Sequence, residues 1–140
     1  MSERLKLRMD NRLPELDRMR WEVEKFLERG RVCGKEAHHI ILALDELITN
    51  VITYAYGSQS GRFIDLSLER RSGVVDMTIE DEGVAFNPLK APEPDLHGPA
   101  GSRCIGGLGI HFARKTMDDM QYERKDEKNI LHIRKKITQE

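Results

Sequence analysis

Glu46, Thr49, Asn50 and Thr53 follow one another at spacings of three, one and three, which aligns their side chains along one strip of an α-helix. Glu46 and Asn50 stand one turn apart on that strip. A carboxylate and a carboxamide so placed offer oxygen ligands to a hard cation such as Mg²⁺, and a partly desolvated Glu can act as a general base. An isolated E-x-x-x-N is ordinarily the solvated strip of an amphipathic helix. Here the neighbours shift that balance, because Ile40, Ile41, Leu44, Leu47, Ile48, Val51, Ile52 and Ala55 make the rest of the rod apolar.

A second constellation is Glu80-Asp81-Glu82-Gly83-Val84-Ala85-Phe86-Asn87-Pro88. Such an acidic turn is common by itself. In its functional form, Asp81 ends a strand at the floor of a pocket and accepts a hydrogen bond from an exocyclic amino group, while Gly83 lets a ligand ring approach the backbone. A third is Gly106-Gly107-Leu108-Gly109, read as the start of a helix whose free N–H groups and dipole form an anion site. The alternative there is a hinge. No G-x-x-x-x-G-K-[ST] is present, no strand precedes the glycines as a dinucleotide fingerprint requires, and neither H-R-D nor D-F-G occurs. His38 and His39 point to different helix faces, and His97, His111 and His132 belong to other elements, so a zinc site is not expected.

The elements that must position these residues follow from periodicity. Leu5, Leu7 and Met9 alternate with charges over Glu3 to Asp10, an edge strand. Leu16, Met19, Val23, Phe26 and Leu27 form a helical stripe from Pro14 to Gly30. A largely buried second helix spans Lys35 to Tyr56. Ile64, Leu66 and Leu68, a Ser72-Gly73 turn, and Val75, Met77 and Ile79 read as an antiparallel hairpin. Asn87 to Arg103 holds four of the chain's five prolines and has no apolar period, so it is a long loop. A helix over Leu108 to Met117 and strands near Met120 to Arg124 and Leu131 to Lys135 complete the order βααββ, loop, αββ. That order predicts an α+β two-layer sandwich, with a mixed, mostly antiparallel sheet covered on one face by helices.

Length and composition bound the reading. One hundred and forty residues make about one domain, and 39% hydrophobic with 34% charged residues describes a buried core under a solvated surface. No run is long enough to span a membrane and the first ten residues lack the apolar centre of a signal peptide, so a soluble, cytoplasmic protein without membrane contact is expected. Lys plus Arg, 23, nearly cancels Asp plus Glu, 24, which argues against direct nucleic-acid binding. Cys33 and Cys104 form no C-x-x-C pair and fit reduced thiols.

Taken together, the E-x-x-x-N helix, the D-x-G-x-A-F turn after a hairpin and the lid-length loop ending in G-G-L-G resemble the GHKL ATPases (gyrase, heat-shock chaperone, histidine kinase and mismatch-repair ATPases). Within that family, Leu44-Asp45-Glu46-Leu47-Ile48-Thr49-Asn50-Val51 is most similar to the bacterial anti-sigma factor serine/threonine kinases. The resemblance covers roughly residues 12 to 137 and implies a Bergerat-type ATP-binding fold, with residues 1–140 as one histidine kinase-like ATPase domain.

The resemblance further implies a role for each matching position. Asn50 would ligate Mg²⁺, Glu46 would be the general base, and Asp81 would read the adenine amino group. Gly83 would lie beneath the base with Phe86 beside it, and Gly106, Gly107, Leu108 and Gly109 would hold phosphate. The segment from 87 to about 105 would be the ATP lid, on which Arg103 could reach phosphate. Two positions depart from the family pattern: Tyr54 replaces a frequent His, and Lys128-Asn129-Ile130 stands where a Gly-Thr pair contacts adenine. The implied activity is phosphorylation of a Ser or Thr on an anti-sigma factor antagonist by an ATP-dependent kinase, with ATP or ADP and Mg²⁺ as ligands. A sigma factor is a further expected partner and a homodimer is possible. A switch that sequesters a sigma factor or other regulator without phosphorylating anything is the alternative. A phosphorelay fragment ranks last, since the chain has room for neither a dimerisation hairpin nor a phospho-acceptor domain.

Overall fold

The computed structural model describes residues 2–90 and 105–139, and of 105–109 the backbone alone. The chain runs β1 (Glu3–Asp10), α1 (Glu15–Arg29), α2 (Gly34–Asn50), a π-helical turn (Val51–Tyr56), β2 (Phe63–Arg71), β3 (Val74–Asp81), a 3₁₀ turn (Pro88–Lys90), α3 (Ile105–Thr116), β4 (Asp119–Lys125) and β5 (Lys128–Lys136). The five strands form one sheet in the order β1-β2-β3-β5-β4. Each of the four pairings is antiparallel, which narrows the mixed sheet of the sequence reading.

Alternation along each strand decides which face is covered. Register aligns Leu7, Leu66, Ile79, Leu131 and Tyr122 in one row across all five strands, and Leu5, Leu68, Met77, Ile133 and Met120 in another. These rows meet the apolar stripes of the helices: Met19, Val23 and Phe26 of α1, Ile40, Leu44, Leu47 and Ile48 of α2, and Ala113 of α3 are all buried. Each of these side chains larger than alanine contributes about 1.5–3 kcal/mol by leaving water. The opposite face is charged and bare, tied by ion pairs such as Arg8–Asp65 at 2.8 Å and Arg134–Asp76 at 2.7 Å. Outward Arg4, Lys6 and Arg8 also line the β1 edge, where charge discourages pairing with another strand.

Boundaries differ from expectation in two places that matter. The second helix does not stay α-helical to Tyr56 but widens to a π-helical turn directly after Asn50. The third begins at Ile105, three residues before Leu108, so the glycine cluster lies inside its first turns. Asp126 and Glu127 close the last hairpin with φ of 53° and 63°, the left-handed geometry that a two-residue turn demands.

Arg70 ends the inward-facing row of β2 and is buried at 6% exposure. Its guanidinium donates to the Phe26 carbonyl at 2.8 Å, pairs with Glu3 and lies 4.7 Å above the Phe26 ring. Gly30 is forced by this packing, because a Cβ there would meet the guanidinium at 2.3 Å.

Candidate functional site

One row beyond Leu66, Ile79 and Leu131, register aligns Met9, Ile64, Asp81, Asn129 and Arg124. Polar side chains therefore stand on the apolar face at the end of the sheet, under the helical layer. Asp81 is 4% exposed and its Oδ1 accepts from the Gly83 N–H at 2.9 Å and from Asn129 Nδ2 at 2.8 Å. Burial pushes its carboxyl above the ordinary aspartate range, against the opposing pull of these two bonds. Asn129, equally buried, also donates to the Val84 carbonyl at 2.8 Å, while its Oδ1 accepts from the Phe86 N–H at 3.1 Å and from the Tyr122 hydroxyl.

Leu47, Val51, Ile79, Asp81, Phe86, Pro88, Tyr122, Asn129 and Leu131 enclose a cavity of about 20 Å³. That is room for about one water. The cavity has apolar walls and one carboxylate at its edge, the chemistry that suits a flat heteroaromatic ring carrying an amino group. Three clefts of about 210 to 430 Å³ on the outer sheet face are lined largely by charged side chains, and a fourth of about 240 Å³ reaches Asp81 from the end of the sheet among Arg8, Arg62, Glu80 and Glu82, without the apolar walls of the cavity.

Leu47 and Val51 tie this cavity to α2, because Asn50 lies between them. Asn50 is 2% exposed and, among the described residues, its Nδ2 has no hydrogen-bond partner. A buried carboxamide with an unmatched polar atom is costly, and a ligand at this place would complete it. Glu46, one turn earlier, is half-buried, and burial followed by the adjacent Asp45 carboxylate pushes it above the usual glutamate range. Asp45 is itself held by Arg20 of α1 at 2.7 Å, with Asp17 on the same guanidinium at 2.5 Å. Thr49 returns its hydroxyl to the Asp45 carbonyl at 2.6 Å and Thr53 is exposed, so of the four-residue strip Glu46 and Asn50 remain as the candidates. The π-helical turn that follows rotates Ala55 toward the Asp81 turn, where the Val84 N–H donates to the Ala55 carbonyl at 2.9 Å. π-turns of this kind recur at functional sites.

A Cβ on Gly83 would meet the Ala55 carbonyl oxygen at 2.4 Å. The space its missing side chain leaves is thus taken by the helix, which is why the turn needs glycine whatever lies above it. Phe86 lines the cavity and its ring is 5.5 Å from that of Tyr54, the first of the two departing positions. Gly106, Gly107, Leu108 and Gly109 lie in the first turns of α3, whose leading N–H groups lack intrahelical acceptors. Residues 91–104 fall outside the described residues, and with them Arg103, His97, Cys104 and most of the expected lid. The residue that sequence reasoning passed over is Asn129, set down as a departure. Its signal lay in strand register, opposite Asp81, and not in any motif.

The oxygen set around Asn50 and Glu46 fits Mg²⁺, which typically takes one or two protein oxygens and completes its shell with water and phosphate. Rotating the Asn50 carboxamide by a half-turn presents Oδ1 where the unmatched Nδ2 stands. Among the described residues no three His, Cys, Asp or Glu side chains gather into a metal cluster. Nor, among them, is any helix long and apolar enough to cross a membrane.

Comparison with known proteins agrees with this fold. A family model described as the histidine kinase-like ATPase domain matches residues 9–135. The serine/threonine-protein kinase BtrW of Bordetella bronchiseptica is 28% identical over 117 residues, 84% of this chain and 82% of that protein. An anti-sigma F factor of Priestia megaterium is 28% identical over 125 residues, 83% of this chain and 80% of the relative. Among solved structures, the RsbU and RsbW domains of Rv1364c from Mycobacterium tuberculosis superpose with a TM-score of 0.71 at 12% identity, over 99% of this chain but only 33% of that one. A histidine kinase domain from Erythrobacter litoralis gives 0.58 at 17% identity, over 89% of this chain and 60% of the other. With the α+β sandwich, the Asn50 helix and the Asp81 pocket in place, the chain belongs to the histidine kinase-like ATPase domain family and is similar within it to anti-sigma factor kinases.

Proposed function

We propose that this chain, as a single ATPase domain, is an ATP-dependent serine/threonine protein kinase of the anti-sigma factor type, transferring the γ-phosphoryl group to a Ser or Thr of an antagonist protein. The observation that carries the reading is the buried Asn50 carboxamide with an unmatched polar atom, one helical turn from a half-buried Glu46 and beside the Asp81 cavity. Relatives of comparable length named as a Ser/Thr kinase and as anti-sigma F factors support it.

In this reading adenine enters between Phe86 and the sheet, and its exocyclic amine donates to Asp81. Because both protein bonds to Asp81 end on Oδ1, Oδ2 is the acceptor offered to the base. The phosphates run along α2 toward the first turn of α3, where Gly106, Gly107 and Gly109 present N–H groups. Mg²⁺ held by Asn50 would neutralise charge on the β- and γ-phosphates. Glu46 takes the proton of the acceptor hydroxyl as its oxygen bonds to the γ-phosphorus and the bond to the β-phosphate oxygen breaks, leaving ADP. A carboxyl raised by burial accepts that proton more readily than an exposed one.

The test is transfer of labelled γ-phosphate to a candidate antagonist protein. Glu46→Gln keeps size and an acceptor oxygen but is not basic, so ATP should still bind while transfer falls by roughly 10² to 10⁴. Asn50→Ala should lower metal-dependent binding and transfer together. Transfer at the wild-type rate by Glu46→Gln would remove Glu46 from the role of base. A wild type that binds ATP and a sigma factor yet phosphorylates no antagonist would favour sequestration alone.

A further inference from the structure

We propose that Asn129 is the positioning residue of the base pocket: its carboxamide fixes the Asp81 carboxylate and the 84–86 segment together, and so sets nucleotide affinity without a hydrogen bond to the nucleotide. The inference rests on the ATP-binding reading above and concerns how that same pocket is held.

All the polar capacity of this side chain is directed at protein. The two N–H bonds go to Asp81 Oδ1 and to the Val84 carbonyl, each at 2.8 Å, and the oxygen receives the Phe86 N–H and the Tyr122 hydroxyl. Two donors and two acceptor sites are the full inventory of a carboxamide. Nothing remains for a ligand. Three of its four partners line the cavity: Asp81 at the floor, Phe86 at the roof and Tyr122 of β4 at the wall, while the fourth, Val84, leads into the roof segment. Phe86 lies over that cavity, so its placement and that of Asp81 together shape the space a base would enter. The roof is fastened at Val84 and Phe86 by the same group that orients the carboxylate meant to greet the base. Adenine affinity therefore depends on how firmly Asn129 holds both.

Replacing the carboxamide by its isosteric carboxyl isolates this role. Asn129→Asp puts an acceptor where Asp81 and Val84 both need a donor, with two carboxyl oxygens about 2.8 Å apart. Such a pair cannot hold two negative charges and shares one proton when pH allows. Other ionisable groups facing Asp81 are Arg124 and Tyr122 of β4, Tyr56 of the π-helical turn, Lys128 of β5, and Glu80 and Glu82 on its own segment. All of them are shared by wild type and variant, as is the titration of the nucleotide's phosphates, so the difference between the two proteins reports the new pair.

The experiment measures ATP binding with Mg²⁺ by calorimetry from pH 8 to pH 6 for both proteins, together with amide exchange across residues 84–86. Expected at pH 8 is affinity weakened by about tenfold or more in N129D, with faster exchange of the Val84 and Phe86 amides. On acidification N129D should recover relative to wild type, as the shared proton restores a donor to Asp81. Identical affinity, pH profile and exchange in a folded N129D would overturn the proposal. Should N129D fail to fold, Tyr122→Phe removes only the hydroxyl bond to the Asn129 oxygen and should weaken ATP by roughly threefold to tenfold with faster exchange at Phe86; wild-type values there overturn it equally. A wild type that binds no ATP refutes the functional reading, and the clamp's role falls with it. Binding by wild type with N129D unchanged refutes the clamp alone.

Discussion

Replacing Asp81 by Asn separates recognition of the base from stability of the fold. In the protein, Asp81 Oδ1 accepts from the Gly83 N–H at 2.9 Å and Asn129 Nδ2 at 2.8 Å. The isosteric carboxamide can keep both bonds with its own oxygen, and doing so turns its NH₂ toward the position from which the adenine amine donates. Two donors then face each other in a buried site. A buried donor left without an acceptor costs about 1–3 kcal/mol, so the Kd for ATP should rise by about 5- to 150-fold at ~1.4 kcal/mol per decade. Stability should move the other way. The folded carboxyl lies above its unfolded value because burial outweighs its hydrogen bonds. It therefore contributes stability that is present below the unfolded pKa of about 3.9 and is lost as pH rises through the folded value. Asp81→Asn removes that loss, so its melting temperature at pH 7 should equal or exceed that of wild type and depend less on pH. Calorimetric titration with ATP and Mg²⁺, with thermal unfolding in parallel, reads both. Wild-type ATP affinity in the folded variant would refute the assignment of Asp81.

If Glu46 is the base, single-turnover transfer should fall with acid at a pH above the ordinary glutamate value, and Asp45→Asn should move that inflection downward by removing a neighbouring negative charge and freeing Arg20; an unmoved inflection would mean another group titrates. Gly83→Ala should destabilise the protein by about 1–3 kcal/mol in urea, since the new Cβ would meet the Ala55 carbonyl oxygen at 2.4 Å and backbone cannot easily yield. An unchanged unfolding midpoint would rule out that close approach. Arg70→Met should cost about 2 kcal/mol through the lost bond to the Phe26 carbonyl, the lost pair with Glu3 and the lost ring contact, measured the same way, and with no change in ATP affinity because Arg70 lies at the far end of β2 from the pocket. A loss of binding there would show that the two ends of the sheet are coupled.

Local pattern determined much of this protein. Period-two alternation in Leu5 to Met9, Ile64 to Leu68 and Val75 to Ile79 places the strands, and the 3.6-residue stripe from Leu16 to Leu27 places α1, because each depends only on which face of a single element meets the core. Glu46 and Asn50 were legible for the same reason, being one turn apart on one helix. Asp81 was legible as the acidic end of a strand. Tertiary structure decided what no window of neighbouring residues contains. β5 inserts between β3 and β4, and that choice of partner sets Asn129 opposite Asp81 from 48 residues away. The π-helical turn after Asn50 brings Ala55 against Gly83, so the reason for the glycine lies 28 positions earlier in the chain. Arg70 continues a strand's inward row as though it were apolar, and only the end of α1 and the Phe26 ring explain its burial. In each case the stabilising partner is distant in sequence, and the energy of a pairing between distant residues is fixed by register and packing, neither of which is written in the residues on either side.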